Sequence, residues 1–172
     1  MSGRDDAGFS AFVAARGTSL LRIAHLACDA AEDAEDLLQT SLERAYRNWS
    51  RVRDDNDPEP YVRRIIVNTA ISRARRRAIL RIVPMSAPPE QPSREADIPL
   101  RHALMDALRD LPPRQRAVVV LRYWEDLSEA QTAEILGCST GTVKSQAFKA
   151  LAKLRPVIGG ESPEKVIRNA HA

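Results

Sequence analysis

Cysteine is scarce: Cys28 and Cys138 are the only two in 172 residues. Two cannot build a disulfide framework in a chain this long. Long apolar runs are missing too, since none approaches the roughly 18 residues that span a bilayer. The opening Met1–Asp6 lacks the apolar stretch of a secretory signal. A cytoplasmic protein with no membrane insertion is expected. Three histidines, His25, His102 and His171, are scattered, and neither HExxH nor a clustered Cys/His spacing occurs. His25 and Cys28 offer only two ligands on one helix and read as a packed pair. No Walker or GxGxxG phosphate loop is present, and Gly159-Gly160 reads as an isolated tail turn. The chain is therefore expected to have no catalytic residues, metal or cofactor, and not to be an enzyme. Seven glycines exclude a collagen-like chain. Alternating β-branched runs between turn signals are absent as well, so strands are not expected.

What is present is apolar content and patterned charge. Hydrophobic residues make up 44%, enough for a packed core and too many for a wholly disordered chain. The formal net charge is only +3, but it is unevenly distributed. Residues 1–60 carry a net −5, and residues 61–81 hold seven arginines and no acid. Residues 82–99 carry −2 and residues 100–172 carry +3. An acid-free arginine strip suits phosphate, whereas a merely solvated helix face usually mixes its charges.

Five of the eleven prolines fall in residues 84–99. Proline lacks the amide donor that helices and sheets need, so this stretch reads as a linker. Both flanks read as helical, giving an all-α chain of two small domains. The division expected is 7–81, a linker over 82–99, 100–156, and a short tail over 157–172 with no room for a further domain. One or two helices cover 7–27. Asp29 with Glu32 predicts a cap for a helix over about 30–51, with Leu38, Leu42, Ala45, Tyr46 and Trp49 on its inner face. Asp57-Pro58 predicts a cap and first turn for a helix running to about 80. Beyond the linker, Leu100–Leu111 is amphipathic, and Pro112-Pro113 ends it and starts a helix reaching Trp124.

The strongest local signal is Ser128–Arg155. Ser128 and Gln131 form a capping box. Ala133, Gly137 and Val143 then supply what a helix-turn-helix requires: a small residue at the crossing, a left-handed turn residue and an apolar dock. Ser139 caps the second helix. Thr140 and Thr142 flank Gly141 in its first turn, where backbone amides can meet phosphate. Val143, Ala147, Ala150, Leu151 and Leu154 point inward. Lys144, Ser145, Phe148 and Lys149 share an outer face with Gln146 at its flank, a set suited to base edges in a major groove. A plain helical hairpin with a solvated lysine face is the bland alternative. Cys138 reads as a buried filler of the turn, and Trp49, Tyr123 and Trp124 read as core.

The segment Asp33-Ala-Glu-Asp-Leu-Leu-Gln-Thr-Ser-Leu-Glu-Arg-Ala-Tyr-Arg-Asn-Trp49 resembles region 2 of the extracytoplasmic-function (group IV) sigma factors of the sigma-70 family. Pro60-Tyr-Val-Arg-Arg-Ile-Ile-Val-Asn-Thr-Ala70 and Arg75-Arg76-Arg77 continue the resemblance. Leu108–Ala117, Leu121–Trp124 and Gly141-Thr-Val-Lys-Ser-Gln146 look like region 4, with wording especially similar to the SigE-like actinobacterial group. The resemblance covers roughly residues 9–156 in order, linker included.

It implies a factor that joins core RNA polymerase, directs it to promoter DNA and helps open the duplex. Asp36, Thr40, Glu43 and Arg47 form a polar stripe with Gln39 beside it. The resemblance assigns that surface to the β′ clamp helices, with Asp36, Gln39 and Glu43 as core-binding residues. The family usually has an acid where Thr40 stands. Region 4 is likewise implied to meet the β flap.

On the arginine helix, Arg64, Asn68, Ser72 and Arg75 recur on a face separate from Val62, Ile66 and Thr69, with Ile65 bordering it. The resemblance places −10 element recognition there, with Ile65 and Asn68 near a flipped base and the loop Val52–Asp57 walling its pocket. That loop is polar and acidic, although an apolar or aromatic wall would suit a base better. The −35 element is implied to meet Thr142, Lys144, Ser145, Gln146, Phe148 and Lys149. The family often has Arg where Gln146 and Lys149 stand. An anti-sigma factor is a further partner class, competing for the same faces. The rival readings are a helix-turn-helix regulator working without core polymerase, and an all-helical interaction protein that binds no DNA.

Overall fold

The computed structural model describes residues 3–52, 57–80, 99–158, 161–162 and 165–167. Every regular element among them is helical. Helix α1 spans Gly3–Ala27 without a break. After a single 3-10 turn at Ala31–Asp33 come α2 (Ala34–Tyr46), the short α3 (Trp49–Val52) and the long α4 (Glu59–Leu80). The second half holds α5 (Pro99–Asp110), α6 (Pro113–Val119), α7 (Glu129–Leu136) and α8 (Thr140–Leu154). A π turn at Val120–Trp124 extends α6, closed by Glu125 donating its amide to Val120 O at 2.9 Å. The predicted linker falls almost wholly outside the described residues, as do residues 53–56 of the predicted pocket loop.

The predicted cap at Asp29 is wrong. The helix starts later, at Ala34, and its first turn has no side-chain cap bond. The predicted continuous helix over 30–51 is also broken by a turn at Arg47-Asn48, leaving α3 as a separate piece. The buried positions of α2 are Ala34, Leu37, Ser41 and Ala45, while Leu38 and Leu42 are only half-buried. The hydroxyl of Ser41 donates to Leu37 O at 2.7 Å, which satisfies it inside the core. Trp49 is buried as expected, edge to face with the Phe9 ring and tilted against the Phe12 ring. Tyr123, Trp124 and Cys138 are half-buried and pack against the core.

Helices α1, α2 and α4 pack on one another around Leu20, Ile23, Leu37, Val62 and Ile66, all at most 1% exposed. Helices α6, α7 and α8 pack around Leu121, Val143, Ala150 and Leu154. Part of the predicted tail joins this second core: Ile158, Val166 and Ile167 are buried.

The two halves touch, α6 and α7 against α4, and α5 and α6 against α1. Arg116 of α6 is 1% exposed. Its Nη1 donates to Cys28 O at 2.5 Å, and its Nη2 reaches Asp29 Oδ1 at 2.6 Å and Leu111 O at 3.2 Å. A buried guanidinium needs such partners, because an unpaired charge in the interior costs several kcal/mol, on the order of 3–5 when a buried pair is broken. Asp29 is thus an ionic partner for a residue 87 positions away, which explains why it is not a cap.

Candidate nucleic-acid interface

Local chemistry sets the helix-turn-helix. Ser128 Oγ accepts the Gln131 amide at 3.1 Å, and Gln131 Oε1 accepts the Ser128 amide at 2.8 Å. That is a complete capping box. Gly137 closes α7 in the left-handed region, φ 61° and ψ 44°, which costs glycine no Cβ clash. Ser139 then caps α8 by accepting the Thr142 amide at 3.1 Å. Val143, Ala147, Ala150 and Leu154 turn inward, and Leu151 is half-buried.

This leaves Lys144, Ser145, Phe148 and Lys149 exposed together, with Gln146 half-buried beside them. Phe148 is 75% exposed. Lys144 is held 3.5 Å from Glu129 of α7, a weak exposed pair that phosphate or a base could replace. Thr142 is half-buried, and its hydroxyl lies 2.9 Å from Ser139 Oγ. It is therefore engaged in the cap as well as near the outer face.

The arginine strip is less uniform than its sequence suggests. Asp57 accepts the Glu59 amide at 3.0 Å, as the cap reading of Asp57-Pro58 anticipates. Arg63 pairs with Glu59 at 3.3 Å and Glu125 at 2.8 Å. Arg73 pairs with Asp36 at 2.7 Å and donates to Thr40 Oγ1 at 2.8 Å, and Arg77 pairs with Asp33 at 2.5 Å. The hydrogen bond that Arg77 donates to Asp33 pulls the guanidinium pKa further above its ordinary value. Three arginines thus staple helices together. Arg64, Arg75 and Arg76 are exposed, with no ion pair among the described residues.

Arg64, Ile65, Asn68 and Ser72 converge as predicted, on an open cavity of about 450 Å³. Arg75, predicted on the same stripe, lies beyond its lining. Arg44, Arg47, Asn48, Tyr61 and Thr69 complete the walls. Tyr61 and Ile65 contribute an aromatic and an apolar side chain to this lining. Tyr61 escaped the sequence reading, although it extends the stripe by one helical turn below Ile65. Arg44, 25 positions from Thr69, donates to its Oγ1 at 2.9 Å, a link with no local sequence signal.

The predicted polymerase-facing stripe on α2 divides in two. Asp36, 71% exposed at its side chain, and Thr40 lean on Arg73 of α4. Gln39 and Glu43 instead border an open groove beside α1, with Asp6, Phe9, Leu42 and Tyr46. Cys28 is buried, and its thiol donates to Ala30 O at 2.9 Å. Burial pushes its pKa up. No cluster able to hold a metal ion occurs among the described residues.

A helix-turn-helix joined to an arginine-bearing helical domain defines a DNA-binding class of protein. Residues 12–79 match the family model for sigma-70 region 2, and residues 101–154 match sigma-70 region 4. The chain is 44% identical over 151 residues to the RNA polymerase sigma-E factor of Streptomyces coelicolor, covering 86% of this chain and 84% of that protein. It is 35% identical over 140 residues to the ECF RNA polymerase sigma factor SigM of Mycobacterium tuberculosis, covering 81% and 71%. In fold it is similar to the sigma factor RpoE solved with the anti-sigma factor NepR from Bartonella quintana. That likeness has a TM-score of 0.69 at 22% identity, over 88% of this chain and 96% of that one. The chain belongs to the extracytoplasmic-function group of the sigma-70 family. It is a sigma factor, a non-enzymatic initiation factor that works with core RNA polymerase to recognise promoters.

Proposed function

We propose that the cavity on α4 receives a base extruded from the −10 element. Its lining carries the reading: Tyr61 and Ile65 offer a stacking wall, Asn68 a donor and an acceptor, and Arg64 a cation for the backbone. Ser72 and Arg75 extend the contact along the strand. In this reading residues 7–81 form region 2, residues 82–99 link it to region 4 over 100–156, and residues 157–172 are a tail. The outer face of α8, with Thr142, Lys144, Ser145, Gln146, Phe148 and Lys149, reads the −35 element as duplex. Asp36, Gln39 and Glu43 meet the β′ clamp helices, and region 4 meets the β flap. The protein works in the cytoplasm. An anti-sigma factor that covers the same faces would silence it, and the fold relative from Bartonella quintana was solved with one.

Run-off transcription with purified core polymerase on a genomic promoter pool tests the reading. Wild-type protein should initiate, and Asn68→Ala should lose opening while still retaining β and β′ in a pull-down. Unchanged initiation by Asn68→Ala would remove the base pocket from the account.

A further inference from the structure

We infer that Glu129 is a positioning residue that makes Lys144 selective for base edges over phosphate. The inference rests on the reading of the α8 outer face as the −35 contact.

Glu129 is the first residue of α7, and its place is set locally. The capping box of Ser128 and Gln131 brackets it, and an acid in the first turn lies favourably to the helix dipole. Its side chain is 37% exposed and lies 3.5 Å from Lys144 Nζ, on the neighbouring α8. That is its one side-chain contact among the described residues. Lys144 is 67% exposed, so the pair adds little to stability. What the pair fixes is where the ammonium sits. Lys149, the other lysine of this face, has no ion pair among the described residues, so the two cations differ.

An ammonium has three N–H donors. One can point to the Glu129 carboxylate while two reach the O6 and N7 acceptors of guanine. The base edge is uncharged, so it joins the pair without displacing the carboxylate. A phosphate at Lys144 is different. It brings a second anion beside Glu129, and the like charges repel. Lys144 thus gains from the right base and gains little from a sequence-blind backbone contact. Specificity is a difference of affinities, and Glu129 widens it by weakening the wrong mode.

The test measures holoenzyme, assembled with core polymerase, on two duplex probes by fluorescence anisotropy. One is a promoter on which the run-off assay shows initiation. The other is the same DNA with its −35 element scrambled. Glutamine matches glutamate in helix propensity, so Glu129→Gln should melt like wild type. It should bind the scrambled probe about three- to fivefold tighter, and the promoter within about twofold of wild type. Its log affinity for the scrambled probe should fall more steeply with log salt, by about 0.9, as Lys144 takes up one phosphate. Glu129→Asp keeps the charge and should keep most of the preference. In a Lys144→Ala background, Glu129→Gln should change nothing.

An unchanged preference and salt slope in folded Glu129→Gln overturns the inference. So does a full effect of Glu129→Gln in the Lys144→Ala background, which makes Glu129 a diffuse repellent rather than a positioning residue. A lost preference in Glu129→Asp overturns it whether or not the glutamine variant folds. The −35 reading is judged separately. If Lys144→Ala lowers the promoter preference while Glu129→Gln does not, that reading stands and the inference falls. If Lys144→Ala leaves both probes unchanged, the reading itself fails and takes the inference with it.

Discussion

Phe148 should be nearly irrelevant to folding and costly for promoter recognition. Its ring is 75% exposed on the outer face of α8. Alanine is the better helix former, by about 0.5 kcal/mol, so Phe148→Ala should be as stable as wild type or slightly more stable. Binding works the other way. A phenylalanine side chain has on the order of 200 Å² to bury, so about 150 Å² of this ring remains available. A base edge covering half of that removes roughly 75 Å² from water, worth about 2 kcal/mol at ~25 cal/mol per Å². Alanine keeps a small part of the contact, leaving a loss of about 1.5 kcal/mol, or roughly tenfold in affinity.

The assay is promoter binding by holoenzyme assembled with core polymerase. Thymines of the −35 element are replaced one at a time by uracil, which deletes only the methyl group. One thymine should matter to wild type and not to Phe148→Ala, which is the coupling a double-mutant cycle detects. Two results would refute the reasoning. One is a melting temperature lowered by more than about 4 °C, corresponding to about 1 kcal/mol or more in a chain of this size, which would mean that the ring supports the fold. The other is a uracil scan with the same cost in both proteins at every thymine.

Three further predictions follow from the geometry. Gly137→Ala should cost about 1–2 kcal/mol, because the left-handed backbone penalises any Cβ, while the space around that Cβ is open. Gly137→Asn should recover part of this in a thermal melt, and a loss well beyond about 2 kcal/mol would reveal a packing role the structure does not contain. Asp36→Arg should weaken core-polymerase affinity while costing at most about 1 kcal/mol of folding, since the Asp36 side of its pair with Arg73 is 71% exposed; undiminished core affinity would remove Asp36 from that face. Burial raises the Cys28 pKa, so its thiol should alkylate far more slowly than the half-buried Cys138 at mildly alkaline pH. The linked sign is clear: as pH rises past the ordinary thiol range, the unfolded thiol ionises first and stability erodes toward the raised folded value. Equal labelling of the two cysteines by iodoacetamide, read by mass spectrometry, would contradict the buried placement.

Local signals were legible in the sequence by itself. The all-helical class, the capping box at Ser128 and Gln131, the left-handed Gly137, the Ser139 cap and the outward face of α8 follow from spacings of a few residues. Their physics acts within one or two helical turns. The stripe of Arg64, Ile65, Asn68 and Ser72 was legible for the same reason.

Tertiary structure decided what those residues meet. Three arginines of the strip became staples because Asp33, Asp36 and Glu125 stand opposite them. Asp29, apparently a cap, became the partner of a buried guanidinium 87 positions away. Arg44, Arg47, Asn48 and Tyr61 joined the cavity because α2, its following turn and α4 meet there. The bond from Asn68 to Ile135 O spans 67 positions. No periodicity encodes a contact of that range, since it depends on how two helical units dock rather than on the turn of either helix.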